Sequence, residues 1–193
     1  HVDGHQPDAA IHYAKLCREA GILTSLDGGG LRTNTHELLE YIAKTKKPMI
    51  VSTGMAVQEE IDAGVDFIKT LNVPFAILHC NSTYPAPFDE INLRYMDTLN
   101  KYGVPVGYSG HERGIAVSIG AVARGATIIE RHITVDKSLD GPDHKASLLL
   151  DEFAAMVSGI REVERAVGKA EKSLSRGEIM NRELLAKSIV AKV

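Results

Sequence analysis

The feature that most constrains this chain is a regular alternation of short apolar runs with longer segments of helical period. Apolar runs occupy residues 48–52, 75–79, 104–108 and 127–132. Their length and β-branched content read as buried strands. Between them, 57–71 places Ile61, Val65 and Ile68 on one helical face, and 92–102 and 115–124 also read as helices, the latter closed by Gly125. The clearest helix is 151–167, where Phe153, Val157, Ile160, Val163 and Val167 form one stripe and Gly168 ends it. Upstream, 8–20 reads as a helix with Ala9, Ala10, Tyr13, Leu16 and Cys17 on one face. Gly21 stops it, 22–26 is a short strand, and Gly28 to Gly30 form a break. Asn34 or Thr35 caps a further helix that reaches about Lys44, with Glu37 in its first turn.

Strands and helices in this rhythm build βαβ units and a parallel sheet. The chain has 193 residues and about five strand signals, whereas a closed eight-stranded barrel takes about 250 residues. With no Trp, 4 Phe and 6 Tyr, its interior must come from Ile, Val, Leu and Ala, which suits a helix-covered parallel sheet. A formal net charge of -3 argues against nucleic acid as a partner. The apolar runs are too short to span a membrane, and no signal-peptide pattern is present. Two cysteines, Cys17 and Cys80, with no C-x-x-C, suggest a reducing cytoplasm.

Ligands of α/β folds collect at the carboxyl ends of strands. Here those ends carry Ser52-Thr53-Gly54, then His79 to Pro85, then Tyr108-Ser109-Gly110-His111-Glu112, then Glu130-Arg131-His132. Four consecutive strand ends thus offer hydroxyls, amides and imidazoles to one face. Singly, each is equally a turn residue or a cap, and Ser52 and Ser109 could simply cap the next helix. His111 and His132 lie one βα unit apart, so both rings could converge on one point. Two imidazoles plus waters suit Mn²⁺ and would accept Zn²⁺ or Co²⁺. Asp143, in the turn-rich stretch 140–144, could bind sugar hydroxyls or merely close a turn.

From about Leu38 onward, six segments resemble the sialic acid synthase family: LLEYIAKTKKPMIVSTGMA, LHCNSTYPAPFDEINLRYM, VPVGYSGHERGIA, GATIIERHITVDKS, GPDHKAS and KSIVAKV. The resemblance implies the carboxyl-terminal half of a (β/α)8 TIM barrel at 38–172, an incomplete barrel with an added helix–strand segment before it. Residues 173–193 would be a linker toward an antifreeze-like domain, which lies outside the chain and in the family lends an arginine to the partner subunit's site. The implied reaction condenses phosphoenolpyruvate with N-acetylmannosamine or a related amino sugar and releases phosphate. His111 and His132 match the family's two metal-binding histidines, for Mn²⁺ or Mg²⁺. Ser52 and Ser109 match hydroxyls that hold phosphoenolpyruvate, and either Asn81 or Ser82 supplies a further contact. Tyr84 and Asp143 match positions that touch the amino sugar.

Residues 1–37 instead resemble an internal fragment of a ribokinase-like sugar kinase, through the stretch VDGHQPDAAIHYAKLCREAGILTSLDGGGLRTNTHE, with the junction between 35 and 41. The chain therefore reads as composite, with the first barrel strands and their lysine and acidic contacts absent. A half-barrel exposes strand edges. The strand at 22–26 would add to the edge at 48–52, or a homodimer would close through the edges. Those absences imply that synthase activity is impaired by truncation; the two alternatives to it are a non-catalytic fragment that retains metal or anion affinity and a sugar-kinase fragment.

Overall fold

A computed structural model describes Leu31 and residues 36–186. Among these, β1 (Met49–Ser52), β2 (Phe75–Cys80), β3 (Val106–Gly110) and β4 (Ile129–Arg131) form one sheet in the order β1-β2-β3-β4. All three pairings are parallel. The helices are α1 (His36–Ala43), α2 (Gln58–Thr70), α3 (Tyr95–Leu99), α4 (Ala116–Ala123), α5 (Leu150–Val167) and α6 (Arg176–Leu185). This is the partial, parallel (β/α) half-barrel expected. The strand and helix expected at 8–26, the cap at Asn34 or Thr35, the stretch 1–37 expected to be a kinase fragment apart from Leu31, His36 and Glu37, and KSIVAKV lie outside the described residues.

Burial explains why the strands read as continuous apolar runs. Every residue of β2 is buried, as a parallel strand covered on both faces requires. The larger core lies between sheet and helices, with Ile61, Val65 and Ile68 of α2 against Val51 and Ile77 of the sheet. The start of α2 is held by Glu60, whose carboxylate accepts the Val57 N–H at 3.0 Å.

Three elements depart from the sequence reading. First, β3 begins at Val106 rather than 104, because Pro105 has no N–H to give a ladder. Its carbonyl still accepts from Ile77 N. Ser109 and Gly110 consequently lie inside the strand rather than after it. Second, the helix expected at 92–102 is α-helical only over Tyr95–Leu99, with a 3-10 turn at Asn100–Tyr102.

Third, α5 turns a different face inward. Met156 and Ile160 are buried, whereas Phe153 is 37% and Val167 58% exposed. Gly159 accounts for this: a Cβ there would come within 2.7 Å of Ile119 Cδ1. Its bare backbone admits α4, so the face centred on Met156, Gly159 and Ile160 packs, with Leu148, Ile115 and Val122 completing a small second core. The expected linker at 173–193 carries α6, an exposed helix whose start is capped reciprocally by Ser175 and Glu178. No helix of the described residues is long and apolar enough to cross a membrane.

Candidate active site

Strand geometry decides which side chains meet. Successive residues of a strand point to opposite faces. The register pairs Cys80 with Ser109 and Ser109 with Glu130, so these three share one face of the sheet. Ser52 pairs with Leu78, one layer further from the carboxyl ends. His111 follows Ser109 by two residues, and His132 follows Glu130 by two, so both imidazoles continue that face just beyond the strands.

The rings do converge. The His111 and His132 centroids lie 5.1 Å apart, edge to face at 78°. Tyr84 completes a three-ring cluster, 4.2 Å from His111 and 5.7 Å from His132. His111 is buried, and its Nδ1 sits 2.7 Å from the Asn81 carbonyl. With Nδ1 donating, neutral His111 carries its lone pair on Nε2. On the other side, Asp143 Oδ2 lies 3.8 Å from His132 Nδ1. The Asp143 carbonyl meanwhile accepts from Ser147 Oγ at 2.8 Å, so this residue both closes a turn and faces an imidazole.

Asn81 and Ser82 separate clearly. The Asn81 side chain serves its own loop: Nδ2 donates to the Glu90 carbonyl at 3.1 Å, and Oδ1 accepts from Thr83 N at 3.0 Å. The Ser82 hydroxyl instead faces the sheet, 3.6 Å from Cys80 Sγ. A Cβ on Gly54 would lie 2.1 Å from Ser82 Oγ, so any side chain at residue 54 would force this hydroxyl to move. Ser109 is buried and donates to Glu130 Oε1 at 3.2 Å. Ser52 is buried at the end of β1.

A cleft of about 570 Å³ opens at the carboxyl ends of β1 and β2, walled in part by Thr53, Met55, Cys80, Asn81 and Ser82. Neither metal-candidate histidine lines it. Cys80 connects the two, since it borders the cleft and its sulfur lies 3.8 Å from His111 Nδ1. Cys80 and Glu130 stand among the strand-end residues of the sequence but were not singled out as site candidates; each occupies a strand position in phase with Ser109.

The donor set bears on a metal. A cation bound at roughly 2.1 Å from each of two ring nitrogens would keep the rings about as close as they are. Among the described residues, no group of three His, Cys, Asp or Glu can hold an ion. Two imidazoles at this separation would supply two ligands, with the remaining positions left to water or substrate oxygens, as hard divalent ions accept.

Behind the histidines, Arg131 and Glu112 form an ion pair at 2.8 Å, both side chains fully buried. Burial holds the Arg131 guanidinium below its usual pKa, while Glu112 opposes that shift. Burial first, and then the Glu112 carboxylate, push the Tyr108 hydroxyl well above its ordinary value.

Residues 29–172 match the NeuB family. The chain is 45% identical over 163 residues to the N-acetylneuraminate-9-phosphate synthase of Homo sapiens, covering 83% of this chain and 45% of that protein. It is 44% identical over 160 residues to the N,N'-diacetyllegionaminic acid synthase of Campylobacter jejuni, covering 80% of this chain and 47% of that protein. It thus spans about half the length of the curated relatives it matches. The solved N-acetylneuraminic acid synthetase of Leptospira borgpetersenii superposes with a TM-score of 0.68 at 36% identity, over 79% of this chain and 55% of that one. Six sequence segments in order, a parallel half-barrel with paired histidines at adjacent strand ends, and these likenesses lead to one conclusion: the chain belongs to the NeuB family.

Proposed function

We propose that the chain carries half of an active site that condenses phosphoenolpyruvate with the open-chain aldehyde of N-acetylmannosamine or a related amino sugar. The observation that carries this reading is the convergence of His111, His132 and Tyr84 beyond β3 and β4, with Asp143 on the far side. In the reaction the enol carbon forms a bond to the aldehyde carbon, water adds to the former enol-phosphate carbon, and inorganic phosphate leaves.

Each residue has a role in that scheme. A divalent ion, Mn²⁺ or Mg²⁺, held by His111 and His132 would polarise the aldehyde oxygen as a Lewis acid. The hydroxyls of Ser52 and Ser82, and that of Ser109 once it turns from Glu130, would donate to the phosphate and carboxylate of phosphoenolpyruvate and hold it in an attacking orientation. Ser82 is preferred to Asn81 because the Asn81 side chain is engaged by its own loop. Tyr84 and Asp143 face the amino sugar, whose hydroxyls they bind by ring contact and by hydrogen bonding. Precursors of sialic, legionaminic and pseudaminic acids all suit this arrangement. A cytoplasmic homodimer is the expected working form.

The test mixes the chain with phosphoenolpyruvate, N-acetylmannosamine and Mn²⁺ and follows phosphate release. Release that requires both substrates and falls by at least roughly 10–100-fold in His111→Ala, the loss usual even for an outer contact of a metal ligand, supports the reading. Release by His111→Ala at the wild-type rate refutes the role of that ring. Binding of Mn²⁺ and phosphoenolpyruvate without release would favour the non-catalytic alternative.

A further inference from the structure

Directly behind the two histidines lies a buried charge pair that the chemistry above leaves unused. Glu112 follows His111, and Arg131 precedes His132. Their odd phase relative to the site residues turns them to the helix side of the sheet. Arg131 Nη1 donates to Glu112 Oε1 and to the Gly114 carbonyl, each at 2.8 Å, and to Ser118 Oγ at 3.0 Å. Nη2 donates to the Glu112 carbonyl at 2.5 Å. The second carboxylate oxygen accepts from Tyr108 Oη at 2.6 Å. One guanidinium on β4 therefore binds the loop after β3 and the first turn of α4 together.

This arrangement has little slack. A Cβ on Gly110 would come within 2.8 Å of both Glu112 Oε2 and the Tyr108 ring. A buried ion pair adds little stability over apolar groups of equal volume, so fixing geometry is the better reason for its presence. Contacts behind metal-binding imidazoles commonly set ring orientation.

We infer that Glu112 and Arg131 are positioning residues: their ion pair locks the loop after β3 to the end of β4 and so sets the approach of the His111 and His132 rings. The inference rests on reading those rings as one binding site.

The test uses the whole chain and the double variant Glu112→Gln with Arg131→Met, which removes both charges and strands neither. Two quantities are measured where circular dichroism shows the proteins folded. One is Mn²⁺ affinity by calorimetry; the other is cross-relaxation between the two imidazoles by NMR in metal-free protein. The double variant is expected to lose roughly tenfold or more in Mn²⁺ affinity, together with the ring-to-ring signal. An affinity within about twofold of wild type with the signal intact would overturn the inference and leave the pair merely structural. Should the double variant fail to fold, Arg131→Lys, which keeps the charge but not the planar fork, is judged by the same two quantities. His111→Ala serves as the control for the underlying reading. If it binds Mn²⁺ as wild type does, the cation site fails, and the metal-free ring signal alone decides whether the pair positions the rings.

Discussion

Ser82 and Asn81 are neighbours on the loop after β2, yet their side chains face different tasks. The Asn81 amide ties that loop to Glu90 and Thr83, and its carbonyl accepts from His111. The Ser82 hydroxyl lies at the sheet face beside Cys80. Ser82→Ala is therefore expected to raise KM for phosphoenolpyruvate by roughly tenfold, as loss of a bond to a charged group does, with little change in Tm. Asn81→Ala is expected to lower stability by about 1–2 kcal/mol and to move KM less. Phosphate-release kinetics against phosphoenolpyruvate, with thermal unfolding alongside, separate the two. A larger KM effect from Asn81→Ala would reverse the assignment. Choosing between these residues was beyond the sequence, because residues adjacent in the chain differ here only in what distant elements bring to them.

At the scale of the element, His79 shows how strand phase divides roles. It alternates with Leu78 and Cys80, so its ring turns to the helix side, tilted against Tyr95 and Tyr108. Its Nε2 donates to the Ile91 carbonyl at 2.5 Å and ties β2 to the segment before α3. Burial lowers its pKa below the ordinary value near 6.5, with the Ile91 carbonyl opposing. The unfolded chain then takes up the proton first. The stability that neutral His79 contributes is complete above about pH 6.5 and is lost as pH falls below it. Thermal unfolding of wild type and His79→Gln between pH 5 and 8 should show their difference shrinking on acidification. A difference constant across that range would contradict the burial argument. The helix α5 teaches a related lesson. Its periodicity was legible, but the inward face was set by Gly159 and the close approach of Ile119, which no local pattern announces.

For the whole molecule, the two outer edges of the described sheet are the governing feature. Among the described residues, β1 and β4 each pair along one edge only. Just beyond β4, Ile133 is 57% and Val135 82% exposed. Unpaired edges beside apolar side chains favour strand-edge or face association. Sedimentation velocity over a range of concentrations should show a dimer in equilibrium with monomer. A compact monomer at every concentration, unfolding in one cooperative step, would oppose this.

The amino-acid sequence by itself determined the alternation of strand and helix, the parallel sheet, and the clustering of Ser52, Ser109, His111 and His132 at strand ends. Those follow from short-range periodicity and turn chemistry, which the chain carries locally. Only the tertiary structure decided that His111 and His132 approach to 5.1 Å, that Ser82 rather than Asn81 turns to the sheet face, and that Glu112 pairs with Arg131. Register and packing make those choices, since they join residues far apart in the chain whose spacing encodes no distance.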